Sequence, residues 1–532
     1  MLLRRSDRTL TYIVPLLAAY YVIRCMADWD CQSRLALLRM LLPLAVLGAS
    51  VSYRQIAGRR DTPLFFCVLP VCSFELVYGV LQLLGICYSR NPDYIMTGSF
   101  SNPNPYAVFL AACSCFLVSW RSGCRSGTLR YMSMAVAVLS LSVSAALECR
   151  SALVGVAAGL YLAFREDGLK DYLSKHRYTV AILLLCVCAA LYMWKKPSAD
   201  GRLQLYGLCL DSIKRNGMAG AGPGHLVRSL FVEQREFFGE MAVLSRGTPE
   251  LAPNALDKIH LSQSISFAFC DPMQAGVELG PLAMLAFVMM MVCTILSLYH
   301  YCRPLASMGT VLVTASLFTY IFEIWQFQVI GAFLLGQAMP VRQSSAGHNG
   351  TRALTLYLLP ATLLVATVFI TRGMRIQKNW NGWKMERCLL QGENYRVFAD
   401  CESERFEELG FDKHFLTDYA YALSQSGQLS ASDSICDFGL DMTGNPAFLA
   451  IKGDNCVERG EYAMARECYW RAFLTLPDRL LPLVSMANTY MLESDTVRLE
   501  AMKRFVRTFS THVETESGKG LRDKLEAMRL EP

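Results

Sequence analysis

The chain has 532 residues, of which 53% are hydrophobic and only 18% are charged. This composition is too apolar for a large soluble protein and excludes a cytosolic enzyme. The formal net charge of +6 comes from 51 Lys and Arg against 45 Asp and Glu. Such a modest excess gives no reason to expect a nucleic-acid partner, because membrane proteins place basic residues in cytoplasmic loops.

Long apolar runs are confined to residues 1–371 and predict membrane-spanning helices. A helix needs about 20 predominantly apolar residues to cross about 30 Å of hydrocarbon. Eleven segments are candidates, at residues 10–26, 35–53, 64–88, 106–120, 129–147, 151–164, 178–194, 277–299, 305–322, 324–339 and 354–370. The sixth and the tenth are short, which leaves the count open by one. Residues 1–371 are therefore predicted to form an all-α, polytopic membrane helix bundle.

Basic residues in the short loops predict the orientation of this bundle. Most of them lie in loops on the side of the N-terminus, which is therefore predicted to be cytoplasmic. The short loops on the opposite side carry only Arg24, Arg34, Arg90 and Arg150. The long segment at 195–276 then lies outside, and so do the residues after 371, because the number of predicted spans is odd.

Residues 372–532 read as a separate helical domain, an α-solenoid of tetratricopeptide-like repeats. One repeat has the small residues and the closing proline that the 34-residue pattern requires, at Gly453, Ala465, Tyr469, Ala472 and Pro477. A weaker copy precedes it at 419–446. A generic helical hairpin is the alternative interpretation.

Arg150 lies at the predicted outer end of a helical hairpin, where a charge is costly unless it snorkels, pairs or binds a ligand. Glu148 is close enough in sequence to be its ion-pair partner. From the residues alone, a structural salt bridge and a ligand site are both open.

The 195–276 segment contains further polar candidates. Its glycine cluster at 220–224 lacks the Lys-Ser/Thr of a phosphate-binding loop, so a tight turn against the membrane is the better interpretation. His225 and His260 are its histidines and the obvious proton acceptors near neutral pH, unless they are solvated bystanders. Glu278 opens the next predicted span, where the helix dipole favours an acid.

Cysteine spacing gives no sign of a disulfide framework or a zinc site. Cys209 and Cys270, the two cysteines of the 195–276 segment, are expected to be free thiols.

The order of these motifs resembles the O-antigen ligase and O-antigen polymerase superfamily. The succession is GSFSNPN at 98–104 before a span, CRSAL at 149–153, Gly201-Arg202 with the 220–224 glycines, and GVELG at 276–280. The resemblance covers residues 97–370. Each motif is short, and the specificity comes from their order and from their placement on one predicted face.

The resemblance implies a GT-C-like bundle in the bacterial inner membrane, with a large periplasmic loop at 195–276 and a periplasmic C-terminal domain. It implies a glycosyltransferase that uses no metal ion and no cofactor. Its donor is a glycan on undecaprenyl pyrophosphate, and its acceptor is the hydroxyl of a lipid, a glycan or a protein.

Arg150 and Arg202 match the family's motif arginines. Guanidinium groups meet phosphate oxygens with paired, charge-assisted hydrogen bonds, so both are expected to stabilise the charge that develops on the leaving diphosphate. The same resemblance implies a role in substrate binding for four polar residues: Asn102, Asn104, Asp271 and Glu278.

One departure from the family concerns the proton acceptor. Ligases of this kind commonly carry a His shortly before the Glu-Leu-Gly helix, whereas this chain reads FAFCD at 267–271. His260 is the first choice for the base. Asp271 or Glu278 as the base, a reaction without a base, and an inactive relative are the alternatives.

Other functions also fit the same spans. Within the family the choice lies among surface-polysaccharide ligase, polysaccharide polymerase and protein O-oligosaccharyltransferase. A lipid-carrier transporter is the first alternative of another class, although no internal duplication is evident. The second is a non-catalytic membrane scaffold whose tetratricopeptide-like tail recruits a periplasmic protein partner.

Overall fold

The structure is a computed structural model and describes residues 3–57, 62–121, 126–165, 170–245, 248–252, 255–259, 262, 264–340, 348–508 and 516–528. Over these residues the chain is mostly helical, and its only strands form one antiparallel hairpin. The all-α prediction is therefore confirmed at this level.

The region up to residue 194 consists mainly of helices, with a longer connection between α3 and α4 at 84–102. Their bounds are α1 Leu3–Asp28, α2 Cys31–Ala57, α3 Thr62–Leu83, α4 Pro103–Trp120, α5 Gly127–Ala146, α6 Arg150–Phe164, α7 Lys170–Lys175 and α8 Arg177–Trp194.

The 195–276 segment, predicted as a large loop, is itself folded. It contains α9 Lys196–Asn216, α10 Leu226–Gly239, the strands β1 Ala242–Ser245 and β2 Thr248–Leu251, α11 Ala255–Ile259, and the beginning of α12 Asp271–Leu279. Apolar faces of α9, α10 and α12 form a small core around Leu208, Leu230 and Val277. The segment is thus a helical layer rather than an open loop.

The chain then continues through four apolar helices into the C-terminal region. These helices are α13 Pro281–Tyr301, α14 Arg303–Ser316, α15 Trp325–Ala338 and α16 His348–Gln391. The domain boundary predicted at 371/372 falls inside α16, a single helix of 44 residues.

Five helices of the described chain are long and apolar enough to cross a membrane: α1, α2, α3, α5 and α13. The pair α8 and α9, which meet at an angle of 97°, adds a possible sixth as one broken span. Several apolar helices are thus suited to a multi-pass membrane protein. The predicted count of eleven is not confirmed, because α14 and α15, for example, have only 14 residues each.

Helix α4 lies at the centre of the bundle, with nearly all of its residues buried. It packs against α5, α6 and α14. Helices α6 and α14 approach closely at Gly155 and Gly159, where an added Cβ would lie 3.0 and 2.7 Å from Val311 side-chain atoms. Small residues four positions apart allow such close packing between helices in membranes.

The C-terminal region is a succession of short helices. They are α17 Tyr395–Ser403, α18 Phe406–Leu409, α19 Lys413–Gln425, α20 Leu429–Thr443, α21 Pro446–Glu458, α22 Tyr462–Thr475, α23 Leu481–Leu492, α24 Thr496–Thr508 and α25 Glu516–Ala527. Neighbouring helices pack on one another, and the Gly453 backbone lies directly against the Tyr469 ring. This pairing uses residues of the predicted repeat, while membership of the tetratricopeptide class stays a prediction.

The C-terminal helices share a core with the 195–276 segment. Phe238, Ala242 and Ile259 are buried in one apolar cluster with Trp470 and Phe473. Within this interface, Nε2 of the buried Gln234 donates to the carbonyl oxygen of Thr475 at 2.6 Å. The two parts therefore form a continuous packed unit.

Candidate functional site

The 98–104 motif is held against α3 by buried polar side chains. Oε1 of Gln82 accepts the backbone N–H of Gly98 at 2.8 Å. Oε2 of Glu75 accepts the backbone N–H of Ser99 at 3.0 Å. These hydrogen bonds offset the cost of burying polar groups in a candidate span, and they fix the position of the motif.

Asn102 and Asn104 begin α4. Oδ1 of Asn102 accepts the backbone N–H of Asn104 at 2.9 Å and so caps the helix, and Pro103 occupies the first turn. The Cys149 thiol lies 3.7 Å from the carbonyl oxygen of Asn104. The beginnings of α4 and α6 are therefore neighbours, while substrate binding by the two asparagines stays a prediction.

Arg150 begins α6 and reaches the corner between α8 and α9. Its Nη1 donates to the carbonyl oxygen of Leu191 at 2.9 Å, and its Nη2 donates to Oγ of Ser198 at 3.4 Å. Glu148 does not pair with it but forms an ion pair with Lys195 at 3.0 Å. The salt bridge considered for Arg150 from sequence is therefore absent.

Arg202 lies one turn after Ser198 on α9, so the two residues share a helix face. Its Nη1 donates to the carbonyl oxygen of Phe318 at 2.9 Å. Its guanidinium carbon lies 5.3 Å from the centre of the Phe269 ring. This arginine thus connects α9 with the residues between α14 and α15.

The two predicted arginines come together in this structure. Arg150 binds Ser198, and Arg202 follows one turn later on the same face of α9. Their partners among the described residues are carbonyl oxygens, a hydroxyl and an aromatic ring, and neither forms an ion pair with a carboxylate there. Two adjacent guanidinium groups without a counter-ion provide the donors and the charge that an anion requires.

Aromatic side chains form a wall beside Arg202. The Tyr320 ring stacks on Phe267 with the ring centres 4.0 Å apart, and it meets Phe269 edge-on at 5.3 Å. The Tyr206 hydroxyl donates to the carbonyl oxygen of Phe269 at 3.0 Å. Apolar surroundings of this kind exclude water and strengthen electrostatic attraction to a bound anion.

Asp271 begins α12 and is almost completely buried, with 5% of its surface exposed. Its Oδ2 accepts the backbone N–H of Phe322 at 3.1 Å. Burial raises the pKa of Asp271 well above its usual range. Asp271 thereby fastens α12 to the connection between α14 and α15.

Glu278 lies in the last turn of α12 rather than at the beginning of a span. Its Oε1 accepts Nε2 of Gln274 at 3.4 Å. Burial, helped by the negative charge of Glu323, raises the pKa of Glu278 to about 8. The favourable helix dipole expected from sequence is therefore not the main influence on this carboxyl group.

Glu278 faces a cavity of about 400 Å³ between α1, α2 and α12 to α15. Arg39 of α2 and Glu323 line the same cavity, and both residues were missed by sequence reasoning. Arg39 was detectable as a charge inside the predicted span at 35–53, which by itself indicates a functional site. Glu323 gave no such signal, because it falls between two predicted spans.

The glycine cluster at 220–224 is used as a tight turn. The N–H groups of Ala221 and Gly222 donate to the carbonyl oxygens of Val277 and Glu278 at 2.8 and 2.9 Å. These two amides already donate to α12 and are not free to bind phosphate. This agrees with the interpretation of the cluster as a tight turn.

His225 is buried beside this turn. Its Nε2 lies 2.5 Å from Oδ2 of Asp30, and its Nδ1 lies 3.2 Å from the carbonyl oxygen of Pro223. Both neighbours accept hydrogen bonds, so His225 joins the 195–276 segment to the connection between α1 and α2. His260 lies outside the described residues, and its proposed role as a base stays a prediction.

Two further expectations concern thiols and metals. Cys209 and Cys270 are free thiols in the structure, as expected. In the described part of the chain, no group of three or more His, Cys, Asp or Glu side chains is arranged to hold a metal ion.

Comparison of the chain with protein-family models, curated proteins and solved structures finds no match. The functional argument therefore rests on the residues and their geometry.

Proposed function

We propose that this protein is a glycosyltransferase of the bacterial inner membrane that moves a glycan from undecaprenyl pyrophosphate to an acceptor hydroxyl. The observation that carries the proposal is the adjacent pair Arg150 and Arg202, which share one site without a carboxylate partner among the described residues.

The chemistry of the reaction suits this pair. Cleavage of the bond between the anomeric carbon and the diphosphate oxygen leaves negative charge on the diphosphate. Two guanidinium groups stabilise that charge as it develops, which is often the largest single contribution to catalysis. The aromatic wall beside Arg202 adds to this effect because it keeps water away.

The proposal includes the topology inferred from the basic loops. The N-terminus is cytoplasmic, and the arginine pair, the 195–276 segment and the tetratricopeptide-like tail are periplasmic. Within the family, surface-polysaccharide ligase is the first choice, ahead of polymerase and protein O-oligosaccharyltransferase.

The test compares Arg150→Ala and Arg202→Ala with Arg90→Ala, an exposed arginine predicted on the same side. We expect each of the first two changes to lower glycan transfer by about 10²-fold or more, as does loss of a transition-state donor in other enzymes. Arg90→Ala should transfer at the wild-type rate. Product is measured by mass analysis, and lipid-linked donor should accumulate in cells carrying the inactive variants.

Lysine replacements refine the test. Arg150→Lys and Arg202→Lys keep the charge but lose the paired hydrogen-bond donors, so partial activity is expected. Wild-type transfer by both alanine variants at normal protein level would exclude the mechanism.

A lipid-carrier transporter is the second candidate, because a membrane-level cavity carries an arginine, Arg39, on a candidate span. That function predicts movement of labelled carrier across liposomes without joining of glycan. Carrier movement of this kind, with no conjugate formed, would replace the first proposal.

A further inference from the structure

The cavity beside Glu278 has the dimensions and walls of a lipid site. Its volume of about 400 Å³ lies within the range of about 300–1,000 Å³ usual for small-molecule sites. Most of its lining is apolar and comes from three candidate spans, with Leu17 on α1, Leu44 and Leu47 on α2, and Phe287 and Met290 on α13. An apolar chain would therefore fill most of this space.

One end of the cavity is polar. Asp271, Glu278 and Glu323 face it together with Arg39 and Gln274. This end offers a phosphate one guanidinium, whereas the arginine pair offers two, so a phosphate belongs with the arginine pair instead. Arg39 in turn disfavours an ammonium group at the same end. An uncharged head group satisfies both restrictions.

At this polar end, the side-chain oxygen of Gln274 lacks a hydrogen-bond donor within the part of the chain that the structure describes. Only 7% of its surface is exposed, and its Nε2 donates to Glu278 at 3.4 Å. Its Oε1 is buried and has no hydrogen-bond partner among the described residues. A buried acceptor without a partner destabilises the site, and a ligand hydroxyl that donates to it would remove that cost.

The connection between α14 and α15 links this cavity to the arginine pair. Its Phe318 carbonyl oxygen accepts Arg202, while its Phe322 and Glu323 line the cavity. A ligand in the cavity and a diphosphate at the arginines would therefore contact opposite ends of one short segment.

We propose that this cavity binds a membrane amphiphile with one apolar chain and an uncharged hydroxyl head group, whose hydroxyl donates to Oε1 of Gln274. Under the proposed transferase function, on which this second role rests, that amphiphile is the glycan acceptor.

The binding test needs no transfer reaction. Full-length protein in phosphatidylcholine nanodiscs is labelled with a photoreactive hexadecanol, and with hexadecylamine and hexadecyl phosphate carrying the same photoreactive chain. We expect saturable labelling of cavity residues by the alcohol, about tenfold stronger than by either charged probe, equivalent to about 1.4 kcal/mol. Absent labelling, or equal labelling by a charged probe, would overturn the site.

Variants locate the label and separate the two proposals. Ala332→Phe fills the cavity and should abolish labelling, whereas Val292→Phe, on the exposed face of α13, should not. Gln274→Leu should weaken labelling roughly 2- to 10-fold through the lost hydrogen bond. Arg150→Ala should leave labelling intact, so failure of the arginine mechanism leaves this result unaffected.

The acceptor role has its own readout. Ala332→Phe should lose glycan transfer in parallel with labelling. Normal transfer by an Ala332→Phe protein that no longer binds the alcohol would refute the acceptor role.

Discussion

Glu278 and Glu323 are two half-buried carboxyl groups that line one cavity together with the guanidinium of Arg39. Burial raises the pKa values of both acids, which means that the folded protein favours their neutral forms. Acids with a raised pKa make the folded protein less stable as pH rises, whereas surface acids in ion pairs, whose pKa is lowered, make it more stable as pH rises. Their contribution is measurable through the pH dependence of unfolding.

For Glu278 the folded pKa of about 8 exceeds the ordinary value of 4.5. Between these values the folded chain binds more protons than the unfolded chain, so the free energy of unfolding decreases as pH rises, by at most about 1.4 kcal/mol per pH unit. We expect Tm to fall between pH 5 and 8 in the wild type and to fall less steeply in Glu278→Gln.

Groups near Glu278 also titrate or carry charge: Glu323, Asp271, Tyr21 and Arg39. A residual slope from Glu323 is therefore expected in the variant. Glu240→Gln, at an exposed position of the 195–276 segment, should keep the wild-type slope. If Tm depends on pH equally in the wild type and in Glu278→Gln, the raised pKa of Glu278 is contradicted.

The Glu148 and Lys195 side chains are 53% and 43% exposed, so their ion pair is well solvated. Exposed pairs contribute about 0–1 kcal/mol. Glu148→Gln should therefore change the free energy of unfolding by less than about 1 kcal/mol and leave the proposed glycan transfer intact. A loss of transfer like that of Arg150→Ala would show that Glu148 acts through Arg150 after all.

Sequence neighbours gave a misleading partner for Arg150 because backbone direction cannot be inferred from adjacency. Glu148 has a positive φ of 51° and precedes the first turn of α6. From this position its carboxylate meets Lys195, while Arg150 reaches Leu191 and Ser198. By contrast, the family resemblance implied a shared role for Arg150 and Arg202, and in the structure Arg150 bonds to Ser198, one turn before Arg202 on α9.

At the scale of elements, glycines determine how the 195–276 segment meets α12 and α13. Gly280 has φ of 88°, and a Cβ there would overlap the carbonyl oxygen of Met218. At Gly220, with φ of 69°, an added Cβ would lie 2.5 Å from the backbone of Glu278. Only a residue without a side chain allows these two backbones to approach so closely.

Gly280→Ala should therefore destabilise the protein by about 1–3 kcal/mol or more, since it combines backbone strain with a steric clash. Gly207→Ala is the matched control, because Gly207 is inside α9 and has open space around its Cβ position. That change should be neutral or stabilise by about 0.5–1 kcal/mol. Thermal unfolding of both variants checks the contrast, and equal Tm values would argue against it.

Hydropathy identified the positions of the helices well. It was less accurate about their lengths and about which of them can span a membrane. The predicted segments at 305–322 and 324–339 fall on α14 and α15, which are only 14 residues long and end at a connection bonded to α12. The apolar pattern reports burial, and burial in protein resembles burial in lipid. Arg39 was overlooked because a single charge hardly changes the mean hydropathy of a long apolar segment.

At the scale of the whole molecule, the C-terminal helices complete the core of the 195–276 segment. Phe238 and Ile259 are covered by the cluster that contains Trp470 and Phe473. The sequence indicated two separate domains, since the pairing of apolar faces more than 200 residues apart leaves no local signal. The tail is therefore better regarded as part of the same folding unit.

Deletion of residues 392–532 tests this view. We expect the truncated protein to be produced at low level, to aggregate in detergent and to lose its unfolding transition, because apolar residues of α10 and α11 become exposed. The control is Asp441→Asn, which removes only the surface ion pair with Arg228. It should change the free energy of unfolding by less than about 1 kcal/mol. A monodisperse truncated protein with the wild-type Tm would establish the tail as an independent accessory.

The shared core has a consequence for biosynthesis. Phe238, Ala242 and Ile259 leave the ribosome well before Trp470 and Phe473, with which they are packed in the finished protein. At about 5–20 residues per second, translation of the intervening chain takes on the order of ten seconds or more. During that delay these apolar residues lack their packing partners, so folding of the segment should depend on chaperones that bind nascent chains.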